Sequence, residues 1–288
     1  MTTVAHLYAQ GTARLAAAQI DDPQLESAWL LADILGLSRA QIYIDGEQDV
    51  AEGQAALFHD SIERRMRHEP FAYIVGHQEF RGLDFQVSPA VLIPRPETEL
   101  LVDELLTLID QPRTFSGTLL DLGTGSGILP VSLARELPQA TFVAVDLSLP
   151  ALVVARQNIE RHGVAHQVAL IAADFLTALH GTAQFDFIVA NPPYVRRASF
   201  DELQPEVIDH EPHLALDGGG EDGLALIAGF APALRHHLRP GGWLVMEIGY
   251  DQKEAILQLF AGFSFFDQLG VLDDYAGLPR LLKARRRP

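Results

Sequence analysis

Cysteine is absent from the 288 residues of the sequence. Disulfide bonds, thiolate metal sites and a cysteine nucleophile are therefore excluded. Long apolar runs are also missing, because no stretch reaches the roughly 18 apolar residues that mark a transmembrane helix. The N-terminus lacks a basic region followed by a continuous apolar core, so we expect no signal peptide. These absences predict a soluble, cytoplasmic protein.

Basic residues are scarce relative to acidic ones. The chain has 21 lysines and arginines against 38 aspartates and glutamates, a formal net charge of −17. A protein that grips nucleic acid presents a dense basic surface to the phosphates, so we expect neither direct nucleic acid binding nor a membrane partner. We interpret the basic tail at residues 283–287 as a solvated chain end. The 11 histidines show no clustered ligand spacing, and we predict no metal site.

What is present favours a folded protein of two domains. Hydrophobic residues make up 48% and charged residues 20%, as in ordinary globular proteins, and the length suits two domains. Apolar residues recur at helical spacing between Leu25 and Leu35. Asp22 and Pro23 predict the start of this helix and Gly36 its end. With a second helix at about 50–68, residues 1–78 are predicted to form a small helical bundle.

Residues 79–97 change in character. Apolar positions at about 80–87 and 91–93 predict two short strands with Ser88 and Pro89 between them. We interpret this segment as a β-hairpin that links two domains. The prolines at 94 and 96 exclude regular structure there, and an apolar helix is expected from Glu97 or Thr98 to about Ile109.

Strands and helices alternate from residue 117 onward. Apolar runs predict strands at about 118–123, 141–146, 168–174, 185–191 and 243–249, with two more between 263 and 284. Helices are expected after the first strand to about residue 137, and at about 149–162 and 222–238. This alternation predicts an α/β fold with a doubly wound, Rossmann-like sheet over residues 98–288, beside the small N-terminal helical domain.

A glycine-rich turn follows the first of these strands. Its residues are Gly123, Thr124, Gly125, Ser126 and Gly127. Glycine allows a tight turn and a close approach of backbone to ligand, and the following helix N-terminus attracts anionic groups. A turn of this kind also occurs without any ligand, so the motif alone leaves both interpretations open.

Two further strands end in residues suited to a nucleoside. Asp146 ends the second strand and can accept both hydroxyls of a ribose, although an N-cap on the next helix is the alternative. Asp174 and Phe175 end the third strand, where the ring can stack on adenine. Ligands of open α/β sheets bind at the carboxyl ends of the strands, so together the three features predict a nucleoside-containing ligand.

The tetrapeptide Asn191-Pro192-Pro193-Tyr194 follows the fourth strand. An amide or aromatic NH₂ is a poor nucleophile because its lone pair is delocalised. Acceptors that take both N–H bonds orient the nitrogen and favour pyramidalisation in the transition state. Asn191 offers a side-chain oxygen, Pro192 and Pro193 offer carbonyls in a stiff segment, and Tyr194 offers a ring for a planar group. The motif predicts methylation of such a nitrogen.

These segments resemble known proteins. The turn DLGTGSG is similar to the first motif of class I S-adenosylmethionine-dependent methyltransferases, and NPPY to that of methyltransferases acting on adenine, cytosine or glutamine. The whole chain resembles the release factor glutamine methyltransferases, also called the PrmC or HemK family. The segments that carry this resemblance are VSPAVLIPRPETELLV (87–102), HEPHLALDGGGEDGL (210–224), MEIG (246–249) and DYAGLPRLLKAR (274–285).

The resemblance implies an enzyme of translation termination. It would transfer a methyl group from S-adenosyl-L-methionine, leaving S-adenosyl-L-homocysteine, to the amide nitrogen (N5) of the glutamine in the Gly-Gly-Gln motif of class 1 release factors. The glycine turn, Asp146, Phe175 and Asn191 would contact the cofactor. Asn191, Pro192, Pro193 and Tyr194 would form the glutamine pocket, with Asn191, Pro192 and Tyr194 catalytic. Residues 1–78 would help to dock the substrate protein.

Several alternatives stay open from the sequence. The NPPY motif also suits glutamine methylation of a ribosomal protein or N6-adenine methylation of nucleic acid, and a non-catalytic module that binds the cofactor is a third class. Arg95 and Glu97 could contact cofactor or act in packing, and Glu247 could be core or support the site. The segment Gly218-Gly219-Gly220 could be a lid over the substrate or a plain connector.

Overall fold

A computed structural model describes residues 2–181 and 185–288, which fall into two compact units. Unit 1 is the chain up to His77 together with Gln204–His210, and unit 2 contains Gln78–Leu203 and Glu211–Pro288. Within the described ranges, no helix has the length and apolar character to cross a membrane.

The described residues form α-helices in both units. They are α1 (Val4–Ala17), α2 (Pro23–Leu35), α3 (Arg39–Ile44), α4 (Glu52–Arg65), α5 (Phe71–Val75), α6 (Glu99–Thr107), α7 (Ile128–Glu136), α8 (Leu149–Arg161), α9 (Pro205–His210), α10 (Ala225–Phe230), α11 (Leu234–His237) and α12 (Lys253–Ala261). Short 3₁₀ turns occur at Pro96–Thr98, Pro112–Thr114, Arg197–Glu202, His213–Ala215 and Ala231–Ala233.

Strands pair into one large sheet and two small ones. They are β1 (Thr2–Thr3), β2 (Asp49–Val50), β3 (His77–Phe80), β4 (Leu83–Gln86), β5 (Thr118–Leu122), β6 (Thr141–Asp146), β7 (Val168–Ala172), β8 (Phe185–Ala190), β9 (Leu238–Glu247), β10 (Phe266–Asp273) and β11 (Pro279–Arg286).

Unit 1 is a helical bundle with its own core. Val4, Leu7 and Leu15 of α1 bury one face against Leu31 of α2 and Phe58 of α4, as the helical spacing of apolar residues requires. Helix α2 ends at Gly36, whose φ of 65° gives the left-handed cap that glycine favours. The predicted cap at its start is wrong in one respect. Asp22 precedes the helix but its side chain makes no capping hydrogen bond, so Pro23 in the first turn sets the start.

Helix α9 belongs to unit 1 although it lies far along the chain. Arg65 of α4, with only 7% of its side chain exposed, contacts Glu206 at 3.0 Å and donates to Glu26 of α2. The ring of His210 hydrogen bonds to the carbonyl of Arg67. A buried arginine needs carboxylate partners, and Glu206 supplies one. The predicted boundaries assigned Gln204–His210 to the second domain, whereas the structure groups them with the bundle.

The predicted hairpin forms with a different turn. Strands β3 and β4 pair around Arg81 and Gly82, not around Ser88 and Pro89. Both turn residues have positive φ, 52° and 71°, and the glycine makes this turn possible. The apolar residues 91–93 form no strand; they line the pocket described below.

Unit 2 carries the large sheet, whose strand order is β10-β11-β9-β8-β5-β6-β7. The five strands from β9 to β7 are parallel, and the β10–β11 hairpin joins β9 antiparallel at one edge. This is the expected doubly wound α/β sheet. The chain order reverses between β5 and β8, because β5 continues to β6 on one side while β8 lies on the other.

Both faces of the central strands β5 and β8 are buried. Leu119 and Phe187 face a core with α6, α7 and α8, while Leu120 and Ile188 face a second core with α10, α11 and α12. Successive side chains of a strand point to opposite faces, so strands covered on both sides are apolar throughout. This explains why the strand runs are apolar without alternation.

The helix predicted at 222–238 is interrupted. It appears as α10, a 3₁₀ turn at Ala231–Ala233 and α11. Pro232 has no N–H to donate within a helix, and Gly223 adopts a φ of 73° before α10 begins. Residues 222–224 therefore form a turn, which matters for the site.

Candidate active site

A pocket opens at the carboxyl ends of β5, β6, β7 and β8, where the strand order reverses. This is the position at which open α/β sheets bind ligands. The pocket is lined by residues 90–95, 98, 123–126, 128–129, 145–148, 151, 173–175, 191, 193, 212, 214–215 and 226. The ends of successive strands thus converge with the segment before α6 and the segment after α9.

The glycine turn forms one floor of this pocket. Gly123, Gly125 and Gly127 all have positive φ, between 54° and 82°, a conformation that residues with a Cβ rarely adopt. The N–H groups of Gly123 and Thr124 donate to the carbonyl of Val145 at 2.8 and 3.0 Å. Gly127 is the N-terminal cap residue of α7, and Ser126 beside it is buried. The backbone is thereby bent so that a ligand can approach it.

Asp146 stands at the end of β6 and faces the turn. Its Oδ2 accepts the N–H of Gly125 and its Oδ1 the N–H of Ser148, each at 2.8 Å. Helix α8 is capped by Ser148, whose hydroxyl accepts the N–H of Ala151, so Asp146 is not the capping residue. Burial raises the pKa of Asp146, although its backbone hydrogen bonds oppose this. Each carboxylate oxygen keeps a further lone pair for a donor such as a ribose hydroxyl.

Phe175 forms an apolar wall after β7. Its ring lies 4.7 Å from that of Phe230, and it lines the pocket beside Asp174. Its φ is 44°, which is strained for a bulky residue. Strain of this kind persists only where packing enforces it, and here the strained residue faces the pocket.

Asp121 is a functional candidate that the sequence prediction missed. It lies on β5, is 2% exposed, and neither of its oxygens has a hydrogen-bond partner among the described residues. The buried hydroxyl of Thr124 is likewise unpartnered there. Burial raises the pKa of Asp121 to about 7; the nearby Thr124 hydroxyl opposes this effect and the charge of Asp146 adds to it. The available signal was an acid inside a buried strand directly before the turn, since burying such a group is costly unless it has a partner.

The NPPY segment contributes unequally to the pocket. Asn191 and Pro193 line it, whereas Pro192 is buried and Tyr194 points its hydroxyl at Glu247. Burial raises the pKa of Tyr194 far above its ordinary value, and the adjacent Glu247 carboxylate acts in the same direction. Tyr194 therefore stays neutral and is a donor to Glu247.

Asn191 is oriented through Thr98. Its Nδ2 donates to Thr98 Oγ1 at 3.1 Å, and that hydroxyl donates to Glu247 Oε2 at 2.7 Å. Tyr194 donates to the other oxygen, Glu247 Oε1, at 2.9 Å. Glu247 ends β9 and is 1% exposed. No described residue donates to Asn191 Oδ1, which remains an acceptor beside the pocket.

The glycine-rich segment 218–223 packs against the backbone of the NPPY tetrapeptide at Tyr194. Gln252 donates to the carbonyls of Tyr194 and Asp222, at 2.9 and 2.8 Å. Gly218 and Gly223 lie so close to Tyr194 that a Cβ on either would come within 2.8 Å of a Tyr194 backbone atom. Of the segment 218–220, for which a lid and a plain connector were both left open, Gly218 packs against the NPPY backbone, whereas Gly219 and Gly220 lie beside Ala225.

Arg95 and Glu211 join two walls of the pocket. They form an ion pair, and Glu211, only 1% exposed in its side chain, also accepts the N–H of Ile93 at 3.0 Å. Pro212 and Leu214, which follow Glu211, also line the pocket. Glu97 lies in the 3₁₀ turn Pro96–Thr98 and is not a lining residue.

The residues present suit S-adenosylmethionine. Asp121 lies directly before the lining residues of the glycine turn and is not itself one of them; its carboxylate oxygens, unpartnered among the described residues, suit a cationic donor such as the ammonium of an amino acid. The glycine turn admits close backbone contact, Asp146 can accept ribose hydroxyls, and Phe175 offers a face for a base.

Comparisons with known proteins agree with this geometry. The chain matches the PrmC N-terminal domain over residues 6–76 and the methyltransferase small domain over residues 96–228. It is 42% identical over 272 residues to a release factor glutamine methyltransferase of Koribacter versatilis, covering 94% of each chain. It is 41% identical over 285 residues to one of Moorella thermoacetica, covering 99% of each.

A solved structure shares the fold at lower identity. A methyltransferase from Pyrococcus furiosus superposes with a TM-score of 0.53 at 19% identity, over 73% of this chain and 91% of that one. The predicted Rossmann-like methyltransferase fold is thereby confirmed. The chain is an S-adenosylmethionine-dependent methyltransferase and belongs to the release factor glutamine methyltransferase family.

Proposed function

We propose that this enzyme methylates the N5 amide nitrogen of the glutamine in the Gly-Gly-Gln motif of class 1 peptide chain release factors. The observation that carries the proposal is the orientation of Asn191. Its NH₂ group is engaged by Thr98, so its oxygen is left to accept from a substrate NH₂ group. The near-full-length identity to relatives that bear this activity in their name supports the choice of substrate.

The chemistry follows from the acceptors around the glutamine nitrogen. Asn191 Oδ1 accepts one N–H, and a backbone carbonyl of Pro192 or Pro193 accepts the other. Two acceptors hold the nitrogen in one orientation and stabilise it as its lone pair leaves conjugation. When bound, S-adenosylmethionine would supply a methyl group on a cationic sulfur, and the electrons of the broken C–S bond would stay on the sulfur of S-adenosylhomocysteine. The methylated nitrogen then releases its proton to water without a strong base.

The remaining site residues have distinct roles in this proposal. Gly123, Thr124, Gly125, Ser126 and Gly127 cradle the amino acid part of the cofactor, Asp146 binds its ribose, and Phe175 contacts its adenine. Asp121, which was not among the residues predicted from the sequence, is proposed to bind the ammonium group of the cofactor. The ring of Tyr194 would lie against the planar amide just beyond the lining residues Asn191 and Pro193, while its hydroxyl donates to Glu247.

Unit 1 is the proposed docking surface for the substrate protein. It exposes acidic side chains beside exposed apolar ones, among them Glu47, Asp49 and Glu52 with Ile44 and Leu57. Such a surface suits a basic partner that itself binds RNA. Because a release factor works with ribosomes, we propose a cytoplasmic location for this enzyme.

The docking role is tested by charge reversal. Glu47→Lys, Asp49→Lys and Glu52→Lys together are expected to raise the KM for the release factor about tenfold at low salt and to leave the affinity for the cofactor unchanged. The KM is measured at two salt concentrations. An unchanged KM would show that these acidic residues of unit 1 do not contribute to binding of the release factor.

The function itself is tested by mapping the methyl group. Purified enzyme and labelled S-adenosylmethionine are incubated separately with a class 1 release factor, ribosomal proteins and DNA, and the modified residue is identified by mass spectrometry. We expect transfer to the Gly-Gly-Gln glutamine and a fall of about 1,000-fold in Asn191→Ala. Transfer only to a ribosomal protein or to DNA would refute the proposed substrate and keep the enzyme class.

A further inference from the structure

Glu247 is a buried carboxylate that does not line the pocket. It ends β9 with 1% of its surface exposed, directly after the apolar residues 243–246. Burial raises its pKa, and the Thr98 and Tyr194 hydroxyls and the charge of Arg280 oppose that effect, while Glu97 acts with burial. Burying a carboxylate is costly, and a strand end that needed only packing would be better served by an apolar residue.

The hydrogen bonds around Glu247 limit each hydroxyl to one arrangement. Thr98 and Tyr194 each donate their single hydroxyl proton to one oxygen of Glu247, so both carboxylate oxygens act as acceptors. Thr98 then has only lone pairs to offer on its other side. A neighbouring amide must therefore present its NH₂ group to Thr98, and Asn191 Nδ2 lies 3.1 Å away.

We propose that Glu247 is a positioning residue which, through Thr98, holds the Asn191 amide with its NH₂ inward and its oxygen toward the substrate nitrogen. The inference rests on the proposed function, because it concerns the acceptor for the glutamine NH₂ group. Without the carboxylate, the Thr98 proton is free to face Asn191 Oδ1, and the amide can turn over. The turned amide presents a donor to a substrate group that itself needs an acceptor.

Matched substitutions separate this role from packing. Glu247→Gln keeps the size of the side chain but can place an NH₂ donor against Thr98. Thr98→Val keeps the shape and removes the hydroxyl, while Thr98→Ser keeps the hydroxyl. We expect Glu247→Gln and Thr98→Val each to lower kcat by about tenfold with the cofactor Kd and the release factor KM within about twofold of wild type. Thr98→Ser restores most of kcat.

A double-mutant cycle tests the route through Thr98. Because Glu247 acts through that hydroxyl, adding Glu247→Gln to Thr98→Val is expected to lower kcat by less than about twofold further. Independent contributions would multiply to about 100-fold, and that result would overturn the proposal. If Thr98→Val does not fold, Thr98→Ala takes its place in the cycle.

The amide orientation is also measured without catalysis. In nuclear magnetic resonance of labelled wild-type protein, the Asn191 NH₂ protons are expected to show close contacts to the Thr98 methyl group, and these contacts weaken in Glu247→Gln. Unchanged contacts in that variant would contradict the inference. Absence of glutamine methylation by the wild-type enzyme would instead refute the proposed function and leave this orientation test valid.

Discussion

The two sides of the pocket are built by different means. On the proposed cofactor side, the pocket is formed mainly by backbone groups at the ends of neighbouring strands. The hydrogen bond from the Gly125 N–H to Asp146 joins residues only 21 positions apart. On the amide side, Asn191 is held by Thr98 from 93 residues away, and Thr98 by Glu247 from 149. The proposed cofactor site thus follows from a strand–turn–helix motif, whereas Asn191, the proposed acceptor for the substrate nitrogen, is placed by tertiary packing. We therefore expect substitutions on the amide side to lower kcat with little change in the cofactor Kd, and substitutions on the cofactor side to raise the Kd with little change in kcat.

Among substitutions outside the NPPY tetrapeptide, the largest effect is expected on the amide side, at Gly223. A Cβ there would lie 2.3 Å from the carbonyl oxygen of Tyr194 and 2.9 Å from Gln252 Nε2, at a φ of 73°. Gly223→Ala should displace the NPPY backbone and lower kcat about 100-fold, with the cofactor Kd within about threefold of wild type. Kinetics and calorimetry measure the two quantities.

Gly277→Ala is the matched control for this change. Gly277 has a φ of 79°, but a Cβ added there would have no atom within 4 Å, so the substitution carries the same backbone strain without the clash. We expect its kcat to stay within about twofold of wild type. Equal losses in both variants would show that strain, and not contact with Tyr194, limits Gly223.

The next effect is expected on the cofactor side, at Asp146. Asp146→Ala removes the acceptor of two backbone N–H groups and of the proposed ribose hydroxyls. The cofactor Kd should rise about 30-fold, while kcat at saturating cofactor falls only a few-fold. Isothermal titration calorimetry measures the Kd, with Asp267→Ala, an exposed carboxylate on β10, as control. A lower kcat with an unchanged cofactor Kd would contradict the assignment of Asp146 to cofactor binding.

A smaller effect is expected in the pH dependence of stability without cofactor. Burial raises the pKa of Asp121 to about 7, whereas an unfolded aspartate titrates near 3.9. Between these values the folded state binds the extra proton, so raising the pH removes it and destabilises the fold, with the full penalty above pH 7. Asp121→Asn has no such penalty.

Urea unfolding at pH 5 and pH 8 checks this prediction. The free energy of unfolding of Asp121→Asn relative to wild type should increase by at least about 1 kcal/mol from pH 5 to pH 8. A difference that is the same at both values would mean that Asp121 does not titrate in this range.

The smallest effect is expected at Phe175. Phe175→Leu keeps an apolar side chain against Phe230 but loses the flat ring proposed to contact adenine. The cofactor Kd should rise about threefold, with kcat unchanged. The Kd of adenosine is measured by competition in the same variant. If the ring contacts adenine, the Kd values of adenosine and of the cofactor should rise by the same factor. An unchanged Kd for both would assign the ring to packing alone.

The contrast between local motifs and long-range contacts also explains which features could be predicted from the sequence. The strands from β5 to β9, the glycine turn and Asp146 follow from local patterns, since apolar runs and turn residues define each element. The prediction misplaces the Arg81–Gly82 turn because the apolar residues 91–93 have the pattern of a strand, although they line the pocket. The inclusion of Gln204–His210 in unit 1 depends on Arg65, which no local pattern links to Glu206.

The support of Asn191 could not be predicted for the same reason. Thr98 and Glu247 sit in segments whose likeness to the family was clear, yet their contact depends on how α6 packs beside β9. A buried carboxylate in an apolar strand was a visible signal, but its partners follow only from the fold.

The most direct test of the account is a crystal structure with S-adenosylhomocysteine and a peptide that contains Gly-Gly-Gln. We predict that the glutamine NH₂ lies within hydrogen-bond distance of Asn191 Oδ1 and of a proline carbonyl of the NPPY segment, with Asn191 Nδ2 still on Thr98. A glutamine bound elsewhere, or Asn191 turned so that Nδ2 faces the peptide, would contradict it.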